Sequence, residues 1–146
     1  MKKTVINEMQ VSFVSKSENE SFARQAVCSF ISMLDPTIEE ISDIRIIVSE
    51  AVTNCIIHAY KDRLGIISID VKCFSDNSVR IRVRDKGVGI ADIEKCMEPL
   101  YSTDESGERG GMGLPIMCTL ADSFKITSKP EKGTTVTAFI KIGTST

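Results

Sequence analysis

Residues 41–60 constrain the fold of this chain more than any other stretch, because they are strongly apolar yet carry three polar side chains at a regular spacing. Glu50, Asn54 and His58 follow one another every four residues, which on a helix places them on a single flank. The residues that recur at core spacing form a second set on the neighbouring side: Ile44, Val48, Ala51, Cys55 and Ala59. We therefore predict one helix over residues 41–60, packed on the domain through that stripe.

The polar flank of this helix admits two interpretations. Isoleucines also occupy the remaining sides of the helix, so we expect it to be covered on both faces. A carboxylate, an amide and the only histidine of the chain need partners in such a setting. Either these groups hydrogen-bond to the backbone and to one another, or they form a site for magnesium and phosphate.

Composition bounds the class of protein. A chain of 146 residues, 42% of them hydrophobic, suits one domain spanning residues 1–146. A formal net charge of −2 gives no electrostatic basis for binding nucleic acid. No apolar run is long enough to span a membrane, so we expect no membrane contact. The five cysteines include no CxxC pair and mostly fall at apolar positions, which favours reduced thiols in a cytoplasmic protein.

Hydrophobic periodicity predicts the order of helices and strands. A strand at 9–13 precedes a helix that opens with a capping box at Ser17 and Glu20 and continues to Leu34. A second capping box, formed by Thr37 and Glu40, opens the helix that contains residues 41–60. The remaining predicted elements are strands at 67–73 and 79–83, a short helix at 91–97, a helix at 114–121, and strands at 124–128 and 135–142.

This order favours an α+β fold. Hairpin-paired strands with runs of helices between them indicate a two-layer α/β sandwich, in which a mixed, mostly antiparallel sheet carries its helices on one face. A doubly wound fold would need regular βαβ alternation, which is missing. Residues 98–113 are polar and glycine-rich, and we predict that they form a lid, because a long ordered loop is usually functional.

Three short motifs could bind a ligand. Asp85 directly follows a predicted strand and is succeeded by Gly87 and Gly89, so its carboxylate could accept from an exocyclic amine while the glycines let a flat ligand approach, although the same pattern also forms ordinary turns. Glycines 110, 111 and 113 precede a predicted helix, whose free amides suit an anion. The Gly133-Thr134 pair either adds a hydroxyl to the site or only forms the turn.

The order of these fragments is more specific than any one of them. It runs from Glu50 and Asn54 on a helix, through Asp85-x-Gly87-x-Gly89 after a strand and Gly111-x-Gly113 before a helix, to Gly133-Thr134. Over nearly the whole chain, this order resembles the Bergerat-fold ATP-binding domain (the GHKL family) of gyrase, histidine kinases and MutL. Residues 17–24, 48–54 and 108–113 are most similar to the small serine kinases that act as anti-sigma factors in sporulation.

The resemblance implies roles for single residues. Glu50 would be the general base that activates a serine hydroxyl, and Asn54 would bind magnesium through its amide oxygen. Asp85 would read the adenine amine in a pocket shaped by Gly87 and Gly89.

The resemblance also assigns residues of the lid and of the first helix. Arg109 would reach the γ-phosphate. The remaining nucleotide contacts would come from Gly111, Met112, Gly113 and Thr134. Arg24 lies off the apolar stripe of the first helix, and it either remains a solvated charge or docks partner proteins. Asp104 stands where close relatives carry lysine, and we assign it no role.

These roles imply a cytoplasmic, homodimeric serine-protein kinase that uses ATP, releases ADP and needs Mg²⁺. It would hold a sigma factor of the sigma F type off RNA polymerase and phosphorylate an anti-anti-sigma factor on serine. Two alternatives stay open: a paralogous stress-response anti-sigma kinase, and an ATP-dependent binding module without phosphotransfer, against which the retention of Glu50 counts. The catalytic domain of a histidine kinase is disfavoured, because the sole histidine lies inside the helix at 41–60.

Overall fold

The computed structural model of the chain describes residues 3–61, 63–90 and 113–143. The strands are β1 (Val5–Val14), β2 (Ile66–Phe74), β3 (Ser78–Arg84), β4 (Ser123–Lys129) and β5 (Gly133–Lys141). The helices are α1 (Glu18–Ile31), α2 (Ile38–Asn54) and α3 (Gly113–Leu120). A 3₁₀ turn (Ser32–Leu34) follows α1, and a π turn (Cys55–Ala59) follows α2. The predicted helix at 91–97 and the predicted lid up to residue 112 lie outside the described residues.

The described strands form one sheet in the order β1-β2-β3-β5-β4, and all four pairings are antiparallel. Side chains from one face of the sheet join those of the helices in a single core. The predicted α+β sandwich with a mostly antiparallel sheet is therefore confirmed. None of the helices in the described residues is long and apolar enough to cross a membrane.

The core stripe predicted for α2 is confirmed, since all five of its members are buried. The stripe packs with buried residues of α1 and of the sheet, including Val27, Ile31 and Ile69. The expectation that α2 is covered on both faces is wrong at Ile46, whose side of the helix is open to solvent. Ile46 is 38% exposed. The helix packs against α1 and α3, and these neighbours leave that side open.

The two predicted capping boxes have opposite outcomes. At the start of α2, the Glu40 amide donates to the Thr37 hydroxyl (3.1 Å) and the Thr37 amide donates to the Glu40 carboxylate (2.8 Å), as predicted. At the start of α1, Ser17 makes no side-chain capping bond, because its own backbone is already helical (φ −57°, ψ −32°). There the side chain of Asn19 donates instead to the carbonyl of Val14 (2.8 Å).

The predicted helix over residues 41–60 is wrong in its last turn. The α-helical pattern ends at Asn54, and the Tyr60 amide donates to the carbonyl of Cys55, five residues earlier, at 3.0 Å. Such π turns are rare and are frequently found at functional sites. Here the widened turn carries Cys55 at its start and His58 near its end.

The sheet face opposite the helices is polar at its centre. Its centre is Asp70, a buried carboxylate from β2. Arg80, Arg82 and Arg84 of β3 lie 3.3, 3.2 and 3.7 Å from its oxygens. The core therefore lies on the helical side, whereas Asp85 and the Gly133-Thr134 pair lie at the ends of strands.

Candidate nucleotide site

The carboxylate of Asp85 is the centre of the described part of the site. One of its oxygens, Oδ1, accepts from the amides of Gly87 (2.9 Å) and Thr134 (3.2 Å). The other, Oδ2, lies 3.5 Å from Sγ of Cys55. The Asp85 amide in turn donates to the carbonyl of Thr134 (3.0 Å). The side chain is thus fixed between the end of β3, the start of β5 and the π turn that follows α2.

The two glycines after Asp85 permit close packing of the loop. An added Cβ at Gly87 would overlap the carbonyl of Ala59 in the π turn. Gly89 has a φ of +77°, and an added Cβ there would overlap the carbonyl of Lys129 at the end of β4. The Val88 amide between them donates to the same Ala59 carbonyl (3.0 Å). Glycine is needed at both positions, because any side chain would push the loop away from its neighbours.

Ser128, which belongs to none of the predicted motifs, hydrogen-bonds to the far end of the loop. The Ser128 hydroxyl in β4 donates to the carbonyl of Gly133 (3.0 Å) and lies 2.8 Å from the Thr134 hydroxyl. The Ile90 amide donates to Ser128 at 2.7 Å. A hydroxyl has one proton and two acceptor lone pairs. Since Ser128 donates to Gly133, it accepts from both Ile90 and Thr134.

Tyr60 is a second residue that the motifs missed. Its hydroxyl donates to the carbonyl of Ile66 at the start of β2 (2.8 Å) and accepts from the Lys86 amide (2.6 Å). The side chain is buried, and burial raises the pKa of this phenol, with a smaller contribution from the Asp85 carboxylate. Tyr60 therefore links the residue next to Asp85 to the sheet.

Glu50, Asn54 and His58 lie on α2 and its π turn, and all three side chains are partly buried. Glu50 and Asn54 are one α-helical turn apart, with Asn54 the last α-helical residue. Glu50 and His58 both have interactions within the fold. Asn54 is followed directly by Cys55, which contacts Asp85.

Burial dominates the electrostatics of the Asp85 carboxylate. It raises the pKa of Asp85 above its ordinary value, and the hydrogen bonds from Gly87, Cys55 and Thr134 oppose the rise. Burial also raises the pKa of the Cys55 thiol well above its ordinary value, and the nearby negative charge of Asp85 adds to the rise. Cys55 consequently keeps its proton at neutral pH and is the donor in this contact.

The oxygen atoms of Asp85, Glu50 and Asn54 fit an adenine nucleotide and magnesium. Asp85 presents a fixed acceptor of the kind an exocyclic amine requires. Glu50 and Asn54 supply hard oxygen atoms, which magnesium prefers. The described ranges contain no group of three or more His, Cys, Asp or Glu able to hold a metal. The expected magnesium site needs none, since one protein oxygen and the phosphates suffice.

Several predicted site residues are not part of this described cluster. Arg109, Gly111 and Met112 lie outside the described residues, and Gly113 is the first residue of α3. Arg24 lies on α1, where its guanidinium is 3.7 Å from Glu20 and 3.5 Å from the Ser21 hydroxyl. The lid and the docking arginine therefore remain predictions.

Comparisons with known proteins identify the family. Residues 13–140, well over half of the chain, match the histidine kinase-like ATPase domain family. The anti-sigma F factor of Caldanaerobacter subterraneus subsp. tengcongensis is 54% identical over 130 residues, which cover 89% of this chain and 90% of that protein. The anti-sigma F factor of Clostridium botulinum (strain Alaska E43 / Type E3) is 53% identical over 131 residues, which cover 89% of this chain and 91% of that protein.

Solved structures agree on the fold. The crystal structure of the RsbU and RsbW domains of a Mycobacterium tuberculosis protein matches with a TM-score of 0.69 at 19% identity, over 93% of this chain and 32% of that one. The histidine kinase domain of a blue-light activated kinase from Erythrobacter litoralis matches with a TM-score of 0.57 at 22% identity, over 84% of this chain and 60% of that one. Their sheet and helices confirm the Bergerat fold that the order of motifs predicts. The chain belongs to the histidine kinase-like ATPase domain family and, within it, to the family of the anti-sigma F factors.

Proposed function

We propose that this chain is a protein serine kinase that also sequesters a sigma factor. In this proposal ATP is the phosphate donor, magnesium is the metal, and the acceptor is a serine of an anti-anti-sigma factor. The name shared by its relatives, anti-sigma F factor, supports the sigma-binding part. The histidine kinase-like ATPase domain supports nucleotide binding.

The observation that carries the proposal is the junction between Asn54 and Cys55. Asn54 is the last α-helical residue of the flank that also holds Glu50, and the next residue, Cys55, contacts the Asp85 carboxylate at 3.5 Å. The candidate residue for the phosphate end, Asn54, is therefore next in sequence to the residue that contacts the candidate base reader, Asp85. A purine nucleotide bound at Asp85 would extend its phosphates along the Glu50 flank.

Base recognition belongs to Asp85 and its loop. The Oδ1 atom is occupied by two backbone amides, so Oδ2 is the oxygen that accepts from the exocyclic amine of adenine. Gly87 and Gly89 allow the loop to pack closely, and Thr134 holds the carboxylate from the side of β5. Guanine presents a carbonyl at the same position, and two acceptors would then face each other.

In this proposal, phosphoryl transfer depends on Glu50 and Asn54 of α2 and on the predicted lid. The serine oxygen of the acceptor bonds to the γ-phosphorus, the bond to the bridging oxygen of ADP breaks, and Glu50 takes the hydroxyl proton. The Asn54 amide oxygen would be one ligand of magnesium, which would neutralise charge on the phosphates. By the resemblance, Arg109 would contact the γ-phosphate, and the amides of Gly111, Met112 and Gly113 would donate to the phosphates.

Protein partners complete the function. With ATP bound, the chain holds a sigma factor of the sigma F type, and an unphosphorylated anti-anti-sigma factor displaces it until it is phosphorylated. Arg24 on α1 is the docking residue for both partners. The active form is a cytoplasmic homodimer, which is the state that the resemblance implies.

The decisive experiment is incubation of the protein with γ-labelled ATP, magnesium and its anti-anti-sigma partner, followed by analysis of the labelled amino acid. We expect label on a serine of the partner and none when magnesium is chelated. Sigma capture that depends on ATP, in the absence of any transferred label, would instead identify a nucleotide-dependent binding module.

A further inference from the structure

The buried thiol of Cys55 contacts the side chain that reads the base. Cys55 is the first residue of the π turn, it is 5% exposed, and its Sγ lies 3.5 Å from Oδ2 of Asp85. None of the motifs described above includes it. Its neighbour in sequence, Asn54, belongs to the polar flank, whereas Cys55 itself belongs to the core stripe.

The thiol contacts the one Asp85 oxygen that accepts no backbone amide from the described residues. Oδ1 already accepts from the amides of Gly87 and Thr134. Each carboxylate oxygen has two acceptor sites. The thiol takes one site on Oδ2, and the other remains for a ligand.

We propose that Cys55 is a positioning residue that fixes Oδ2 of Asp85 as a hydrogen-bond acceptor and thereby sets the preference for a 6-amino purine over a 6-oxo purine. The inference rests on the proposed nucleotide site, because it concerns how Asp85 reads the base. A charged carboxylate at Oδ2 accepts from an amine. A protonated carboxyl at the same place would donate to the carbonyl of hypoxanthine or guanine.

The donor at Cys55 favours the accepting form. Burial raises the pKa of Asp85, and the hydrogen bond from Cys55 opposes this rise. Removing the thiol therefore raises the pKa of Asp85 further, so that the neutral form appears at a higher pH. Base discrimination should then be lost at a higher pH in a variant without the donor than in the wild type.

Among the described residues, the other titratable groups around Asp85 do not replace this donor. Tyr60, from the end of the π turn, faces Lys86 and Ile66 with its hydroxyl. Lys86 from the same loop is exposed, as are Glu131 and Lys132 in the turn between β4 and β5. From β5 itself, the Asp85 carboxylate receives the backbone amide of Thr134.

The test compares Cys55→Ala, which removes the donor, with Cys55→Ser, which keeps a donor of smaller size. Cys73→Ala is the matched control, because Cys73 is a fully buried thiol in the sheet whose pKa is raised by burial alone. Calorimetric titration with ADP and with inosine diphosphate at pH 7.5 and pH 5.5 gives the affinity ratio of the two nucleotides for each protein. Circular dichroism confirms that each variant is folded.

We expect the ADP preference to fall about threefold to tenfold in Cys55→Ala at pH 7.5, which corresponds to the loss of one ordinary hydrogen bond. The ADP preference of Cys55→Ala should fall further at pH 5.5. The wild type, Cys55→Ser and Cys73→Ala should retain most of their ADP preference at that pH. An unchanged ratio in Cys55→Ala, or equal losses in the Ser and Ala variants, would overturn the inference and leave the nucleotide site intact. A wild-type protein that binds neither nucleotide would overturn the proposed function itself, and this inference with it.

Discussion

The backbone amide of Ile90 donates to the hydroxyl of Ser128 across 2.7 Å, although the two residues are 38 positions apart. This bond joins the loop after β3 to the strand β4. The Tyr60 hydroxyl makes the equivalent connection at the other end of the loop, through the Lys86 amide. The loop that carries Asp85 is thus held at both ends by side chains of the described fold, which makes Asp85 a preorganised group.

Replacement of Asp85 by asparagine should weaken discrimination between bases. The wild-type carboxylate can only accept, so binding of GTP should be weaker than that of ATP by about 1 to 3 kcal/mol. The amide of Asp85→Asn can accept or donate, and most of this difference should vanish. Calorimetric titration of both proteins with ATP and GTP measures the difference in binding free energy, with Asp43→Asn on α2 as the control. Equal affinity of the wild type for ATP and GTP would rule out Asp85 as the base reader.

The same substitution should change the pH dependence of stability. Because the pKa of Asp85 is raised above 3.8 in the folded protein, the folded state binds more protons than the unfolded state between 3.8 and that raised value. The contribution of Asp85 to the free energy of unfolding is therefore full below pH 3.8 and is lost as pH rises through the folded pKa.

Asp85→Asn lacks this loss, so its stability relative to the wild type should be greatest near pH 7 and should decrease as pH falls towards 4. Urea unfolding of both nucleotide-free proteins at several pH values provides the measurement. A difference that stays constant or widens on acidification would show that the pKa of Asp85 is not raised.

The capping residues predict unequal effects at the two helix starts. Thr37→Ala removes a hydroxyl that accepts the Glu40 amide, so the free energy of unfolding should fall by about 1 kcal/mol. Ser17→Ala removes a hydroxyl without a capping bond, and it should cost less than about 0.5 kcal/mol. Chemical denaturation of both variants tests the difference. Similar losses would mean that Ser17 caps α1 in solution.

Arg24→Ala should weaken capture of the sigma factor and of the anti-anti-sigma factor without changing nucleotide affinity. Arg24 lies on α1 beside Glu20, apart from the Asp85 cluster. Its ion pair is partly exposed, so the variant should remain folded. Gln25→Ala, an exposed neighbour on the same helix, is the control. Loss of ATP affinity with intact partner binding would contradict the docking role.

Local patterns predicted the parts of the fold that depend on local spacing. The α2 stripe follows from helical periodicity, the Thr37 cap from the residue types that satisfy free helix amides, and the position of Asp85 from the end of an alternating strand. The capping box predicted at Ser17 is wrong for a related reason. Serine is favoured at a helix start, but the sequence does not reveal that Asn19 satisfies the carbonyl of Val14 instead.

The remaining site residues depend on contacts between distant segments. Ser128 and Tyr60 act on residues 38 and 26 positions away, and neither belongs to a recognisable motif. The π turn shifts a backbone hydrogen bond by one residue without changing the residue types around it. Cys55 was recognised as a core residue, but its contact with Asp85 arises only when β3 is placed beside that turn.

Substitutions of Glu50 and Asn54 should have different effects, since the two residues share one flank of α2 but carry different side-chain groups. The first should affect phosphate transfer and the second nucleotide binding. Glu50→Gln keeps the size of the side chain and removes the proton acceptor, so phosphate transfer should fall by roughly 10²- to 10⁴-fold. ATP affinity and sigma capture should survive. Asn54→Ala removes a metal ligand and should weaken magnesium-dependent ATP binding and, through it, sigma capture.

Both variants should be measured for ATP affinity with and without magnesium, for sigma capture and for transfer rate. Ser42→Ala, at an exposed position of α2 two turns before Glu50, serves as the common control. If Glu50→Gln transfers phosphate at the wild-type rate, Glu50 is not the base, and catalysis must depend on positioning of the phosphates alone. If Asn54→Ala binds ATP equally well with and without magnesium, at wild-type affinity, then the amide is not a metal ligand.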